Sequence, residues 1–265
     1  MSADLPWQSQ TDRQLFAAVF AKTDTRALAH AVAWFSTTPV EDIGYEHHRL
    51  IAAIGRRFPD SPELAGSRRT IANIAKQLWI RANDNLRQLS WVTGYLTEVH
   101  VPWAFIGNLA WQDQKDTLFK DCDVPELMIA SEAYSHIVVK LWRNGWAPPD
   151  GTDIYDISKP LLFHGPDYKQ LKIWSDHWLD PSAKPDGPKP HWQSVKMQRV
   201  FHAMHPVLDL GHLQTQTLQR DMADLQWLVD LKQISDMKDT VDNIHPWWPG
   251  PHFQKRRIFH ALMRA

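Results

Sequence analysis

Asp121-Cys122-Asp123-Val124, preceded at a short distance by Trp103-Ala104-Phe105-Ile106-Gly107-Asn108, is the part of this sequence whose residue types and spacing best suit chemistry. Side chains on an extended strand alternate between faces, so Asp121 and Asp123 would share a face and offer adjacent hard oxygen donors of the kind that Mg²⁺ or Mn²⁺ takes. A glycine directly after an apolar run lets a backbone N–H approach a phosphate closely. Together the two stretches could hold a nucleotide and its divalent metals. Cys122, between the acids, falls on the opposite face and reads as packing. In isolation an Asp-x-Asp is ordinarily a solvated turn and a Gly-Asn ordinarily a tight turn, so the two segments have weight only as a pair.

The elements around them follow from periodicity. From Thr11 to about His100 the pattern is helical, with Leu15, Phe16, Val19 and Phe20 on one stripe after a Thr11-Asp12 cap, and Ile51, Ile54 and Phe58 on another. Thr70 to Val99 carries Ile71, Ile74, Leu78, Ala82, Leu86, Leu89, Val92 and Leu96 at steps of three and four, which predicts a long helix bent near Gly94. After Pro102 the period changes. Trp103–Ile106 and Asp121–Val124 read as short strands, and about Glu126 to Asn144 as a helix closed by Gly145. Lys159–His164 and Lys169–Ser175 flank Gly165-Pro166-Asp167 as a hairpin. The proline-rich run 181–190 reads as a linker, and helical patterning returns at Val207–Leu213, Leu218–Ile234 and Phe253–Met263. The expectation is an α+β fold: a small mixed sheet over 101–180, with helical regions at 1–100 and 181–265.

Composition narrows the function class. Lys plus Arg number 29 against 30 Asp plus Glu, a net charge of −1 with neutral histidines, which argues against a duplex nucleic-acid footprint. The single cysteine excludes an intrachain disulfide framework and a cysteine-based zinc cluster. With no apolar run of membrane-spanning length and no leader-like N-terminus, the chain reads as cytoplasmic with no membrane partner. Fourteen tryptophans are many for 265 residues. Trp34, Trp79, Trp91, Trp142 and Trp227 fall in helical patterns and are assigned to packing, whereas Trp247-Trp248 and Trp174 with Trp178 are expected to be accessible. His202-x-x-His205 would share a helix face as a zinc pair, but no third ligand accompanies it, and such histidines usually serve packing.

The order of parts from Thr70 onward resembles the bacterial uncharacterised nucleotidyltransferases, distant members of the polymerase-β-like superfamily. Val101–Asn108 resembles the family's strand ending in Lys-Gly, Asp121-Cys122-Asp123 its Asp-x-Asp, Asn144-Gly145-Trp146 its closing Gly-aromatic, Asp176-His177-Trp178 its later Asp-x-His-Trp, and Trp227–Asp230 its C-terminal Trp-x-x-Asp. The resemblance implies transfer of a nucleoside monophosphate from an NTP to a hydroxyl of a small molecule or peptide. Asp121 and Asp123 would then bridge two metals, and Asp176 would bind the metal that activates the acceptor. Gly107 and Asn108 would contact the β- and γ-phosphates, with Lys115 or Lys120 supplying positive charge. The chain departs from the pattern at Ile106, where the family has lysine, at Asn108, and at Phe119-Lys120 before the first aspartate. Aligning His177-Trp178 on the family's His-Trp puts Ser175, not Asp176, at the third acid. These departures imply an alternative, a degraded scaffold that binds a peptide or protein through a tryptophan-rich cleft.

Overall fold

The computed structural model describes residues 10–111, 124–157, 159–166, 169–176, 192, 195–200, 203–208, 229 and 232. They divide into two compact units. Residues up to Trp79, with Val229 and Lys232, form the first, and the other described residues form the second.

The described first unit is helical. α1 (Gln10–Phe20), α2 (Asp24–Thr37) and α3 (His48–Arg57) bury Leu15 and Phe16, Ala27, Ala31 and Trp34, and Leu50 to Ile54 respectively. α1 starts at Gln10, so Asp12 is not a cap but a member of the first turn. Its buried carboxylate accepts from His47 Nε2 at 3.2 Å, while Gly44 N–H donates to His47 Nδ1 at 3.1 Å. The Gly44 bond makes Nδ1 an acceptor, which leaves the ring hydrogen on Nε2 facing Asp12. Arg57 closes the C-terminal end of α1: its guanidinium donates to the carbonyls of Val19 at 2.6 Å and Ala21 at 2.9 Å and to Asp24 Oδ1 at 2.9 Å. Those carbonyls lack intrahelical partners, so a cation there meets both their hydrogen-bonding need and the negative end of the helix dipole.

α4 (Arg68–Glu98) runs through Gly94 without interruption, and the division between units falls inside it, after Trp79. Its stripe is buried as expected at Ile71, Ile74, Leu78, Ala82, Leu89, Val92 and Leu96. Trp79 and Trp142 are not core residues; they are 49% and 62% exposed, because each falls off the buried stripe of its helix. α4 ends with His100 at φ 56°, its N–H bonded to the Thr97 carbonyl and that of Val101 to Leu96. This is the left-handed closure that glycine usually makes. Glycine does make it at the end of α6 (Tyr134–Arg143), where Gly145 has φ 79° and Trp146 N–H reaches the Leu141 carbonyl.

The second unit is built on a six-stranded mixed sheet, which establishes the α+β class. Its strands are β1 (Trp103–Ile106), β2 (Glu126–Ile129), β3 (Leu161–His164), β4 (Gln170–Ser175), β5 (Val195–Val200) and β6 (Ala203–Leu208), in spatial order β3-β4-β2-β1-β6-β5. β1 appears where the sequence predicts it and leads directly into a short helix, α5 (Gly107–Trp111). The expected hairpin is present as β3 and β4, and Gly165 in its turn is required: a Cβ there would lie 2.7 Å from the Trp146 ring.

Two elements differ from the sequence reading. Glu126–Ile129 is a strand instead of a helix start, and α6 spans only Tyr134–Arg143. Every residue of β2 is buried, since it lies between β1 and β4, and a strand covered on both faces loses the alternation that would reveal it. Val207 and Leu208 belong to β6, not to a helix, with Val207 beside Phe105 in β1. His205 stands on β6, and His202 lies outside the described residues. The segment Asp121–Asp123 and the helices expected after Leu208 lie outside the described residues, apart from Val229 and Lys232.

Candidate functional site

Register decides which end of the sheet each candidate reaches. β1 and β2 pair antiparallel with Ile106 opposite Glu126 and Trp103 opposite Ile129. β2 and β4 pair parallel with Glu126 opposite Lys172 and Ile129 opposite Ser175. Gly107 therefore leaves the sheet at the end where β2 begins, and Val124-Pro125, the residues that follow Asp123, arrive at that same end. Asp176 leaves at the other end. Five residue steps of a strand separate the two levels, about 16 Å along the strand direction.

The Gly107 end has the backbone that close approach to a ligand requires. Gly107 sits at φ 59°, a left-handed conformation costly for a residue with a Cβ, so glycine is the residue that can turn β1 into α5 here. Asn108 follows as the second residue of α5 and is engaged in interactions of its own. Lys115, Lys120, Asp121 and Asp123 lie outside the described residues, as does Trp178.

Glu126 is a candidate that motif spacing does not single out. It is buried on a central strand, with Oε2 accepting from the Trp174 indole N–H at 2.7 Å. Lys172 lies opposite Glu126 in register, its Nζ 5.8 Å from the Trp174 ring centroid. The sequence signal for it is an acid placed between Pro125 and the apolar run Leu127-Met128-Ile129. Trp174, expected to be accessible, is only 5% exposed because its strand is interior and its one polar atom is engaged by Glu126.

At the other end Asp176 is 3% exposed, and both of its oxygens are engaged. Oδ1 accepts from the Ser131 backbone N–H at 2.8 Å and Oδ2 from Trp192 Nε1 at 2.9 Å. That pair of donors ties the β4 terminus to the turn after β2 and to the chain after the proline-rich run. The sheet does not bring Asp176 to Gly107 and Asn108, which leave it at the opposite end. Among the described residues no group of three His, Cys, Asp or Glu side chains converges as metal ligands.

No family model matches the chain, and no curated protein matches it. Among the solved structures similar to it at a low level are the following two. One is the lincosamide antibiotic adenylyltransferase LnuA bound to lincomycin, with a TM-score of 0.40 and 10% identity over 57% of this chain and 96% of that one. The other is an antigenic nucleotidyltransferase-like protein from Paracoccidioides brasiliensis, with a TM-score of 0.40 and 9% identity over 70% of this chain and 94% of that one. Likeness of this degree assigns neither a fold family nor an activity.

Two further groups in this unit have perturbed titration. His205, on β6, packs edge-on against Phe105 with ring centroids 5.0 Å apart and lies 6.5 Å from Trp103; desolvation there lowers its pKa. The Tyr134 phenol is pushed up to about 12, by burial first and by Asp156 second. No helix among the described residues is long and apolar enough to cross a membrane.

Proposed function

We propose that the second unit binds a nucleoside triphosphate at the Gly107 end of its sheet and transfers the nucleoside monophosphate to a hydroxyl of a small molecule or peptide. The observation that supports this reading is the pairing of Ile106 with Glu126. It returns the chain that leaves Asp123 to the strand end where Gly107 turns at φ 59°. Asp121 and Asp123 would hold divalent ions, Mg²⁺ or Mn²⁺, which when bound neutralise charge on the attacking oxygen and the departing pyrophosphate. Gly107 N–H and the Asn108 amide would face the β- and γ-phosphates, and Lys115 or Lys120 would add positive charge. Asp176 has no part in this scheme and acts as a clamp on β4.

A second reading is favoured by one observation. At the Gly107 end β4 brings Gln170 and Lys172, not a third carboxylate. A site lacking that acid, and with Ile106 in place of a lysine, could be a nucleotidyltransferase-like scaffold that binds a peptide or protein without turnover.

The decisive experiment incubates the full chain with each α-labelled NTP and Mn²⁺ and measures nucleotide binding by calorimetry alongside pyrophosphate release. Binding and release that vanish in Asp121→Ala and Asp123→Ala, with unchanged circular dichroism, support the enzyme. No heat with any nucleotide supports the scaffold. Turnover that survives both substitutions excludes this end of the sheet.

A further inference from the structure

The outward face of α6 does not have the composition of a solvated one. The helix turns Tyr134, Ile137, Val138 and Leu141 inward, yet Val139 and Trp142, three apart and so on one side, are 41% and 62% exposed. His136, Lys140 and Arg143 continue this face at spacings of three and four, and α6 contains no acidic residue. His136 Nε2 lies 3.0 Å from the Tyr95 hydroxyl of α4, and Lys140 Nζ lies 4.7 Å from the Tyr95 ring centroid. Among the described residues no carboxylate pairs with Lys140 or Arg143. The nearby acids stand at the opposite end. Tyr95 meets His136 and Lys140 while Trp91 meets Trp146, so the two helices run antiparallel and Glu98 lies, with Glu132, toward the start of α6.

We propose that this face of α6 docks an acidic segment of a partner protein, with an apolar anchor against Trp142 and Val139 and carboxylates at Lys140 and Arg143. Around the helix the order is Trp142, Val139, Arg143, His136, Lys140, so an apolar strip and a cationic strip adjoin. A segment that carries both acids and an apolar side chain complements the two strips together. Leaving a large indole in water beside Val139 forgoes burial that a partner would restore, and tryptophan and arginine are residue types on which interface energy concentrates. A phosphate backbone is disfavoured as the occupant. The cations of α6 occupy one helix face only, and the chain's net charge of −1 adds no wider positive field. The inference does not depend on nucleotide binding at the Gly107 end.

The test selects short peptides from a random displayed library on the full chain and titrates the recovered peptides by fluorescence anisotropy, with oligothymidylate and phosphatidylserine vesicles as competing probes. Recovered peptides should carry an excess of Asp and Glu around a Leu, Phe or Trp anchor. Their affinity should fall at least about tenfold in Trp142→Ala, a change at an exposed position that should leave circular dichroism unaltered. In the double variant Lys140→Glu, Arg143→Glu the acidic peptides should lose binding, and the same peptides with their acids replaced by lysine should regain it. The proposal is overturned by failure to recover any peptide, by recovered peptides that are neutral or basic, by equal affinity for wild type and Trp142→Ala, or by Trp142-dependent binding of oligothymidylate or vesicles instead. If the double variant does not fold, Trp142→Ala and the charge of the recovered peptides decide the matter.

Discussion

The same strands run between the two ends of the second unit's sheet, yet the ends are finished in different ways. At one, β4 terminates in a buried aspartate whose oxygens are both engaged by N–H donors, and α4 delivers the chain into β1 through a left-handed histidine. At the other, β1 turns at a left-handed glycine and β2 begins three residues after the Asp-x-Asp of the sequence. A carboxylate is therefore defined less by its motif than by the level at which its strand ends. Asp176 resembles a third acid in the linear sequence, but parallel pairing of β2 with β4 carries it to the end of the sheet away from Gly107, where both its oxygens accept N–H donors.

Substitutions can break or sharpen this contrast. The largest effect belongs to the Gly107 end: Asp121→Ala or Asp123→Ala should reduce pyrophosphate release by at least about 100-fold without lowering the melting temperature. Asp176→Ala should do the reverse. It strands two donors, one a part-buried backbone N–H, and should cost about 2 kcal/mol in chemical denaturation while leaving nucleotide affinity unchanged. If Asp176→Ala instead abolishes nucleotide binding and leaves stability intact, the two ends have been assigned the wrong way round.

Gly107→Ala should combine both readouts in milder form, with about 1–2 kcal/mol of backbone strain and roughly tenfold weaker nucleotide binding. His205, beside Trp103 and Phe105, supplies a pH test. Its folded-state pKa lies below the unfolded value of about 6.5, so the unfolded chain takes up a proton that the folded chain resists. Its contribution to stability is present above about pH 6.5 and is lost as pH falls through that value toward the lowered folded pKa. The melting temperature should therefore decline over this interval in the wild type and less steeply in His205→Gln. The smallest effect is expected at the helix end that feeds β1. His100→Gly relieves a left-handed φ and should stabilise the fold by up to about 1 kcal/mol, whereas Gly145→Ala at the matching position of α6 should destabilise it by a similar amount.

Local patterns were legible where one face is buried and the other wet. The α4 stripe, β1, the β3–β4 hairpin and the Gly145 closure all follow from short-range periodicity and turn chemistry. β2 was not legible, because Glu126–Ile129 is buried on both faces and a short apolar run such as Leu127–Ile129 fits a strand or a helix equally well. Val207-Leu208 was misleading for a related reason: short apolar stretches take their conformation from the strand they join, here β1. Glu126 escaped notice because its significance lies in Trp174 and Lys172, residues far away along the chain.

By itself, then, the sequence determined the residue types available for chemistry: a glycine able to take positive φ, an Asp-x-Asp, and helices amphipathic enough to build a core. Only the tertiary structure decided which of these can meet. Strand register is set by long-range pairing, and it places Gly107 and the start of β2 at one end of the sheet and Asp176 at the other. No linear spacing encodes that choice, because parallel and antiparallel partners carry the same residue to opposite ends.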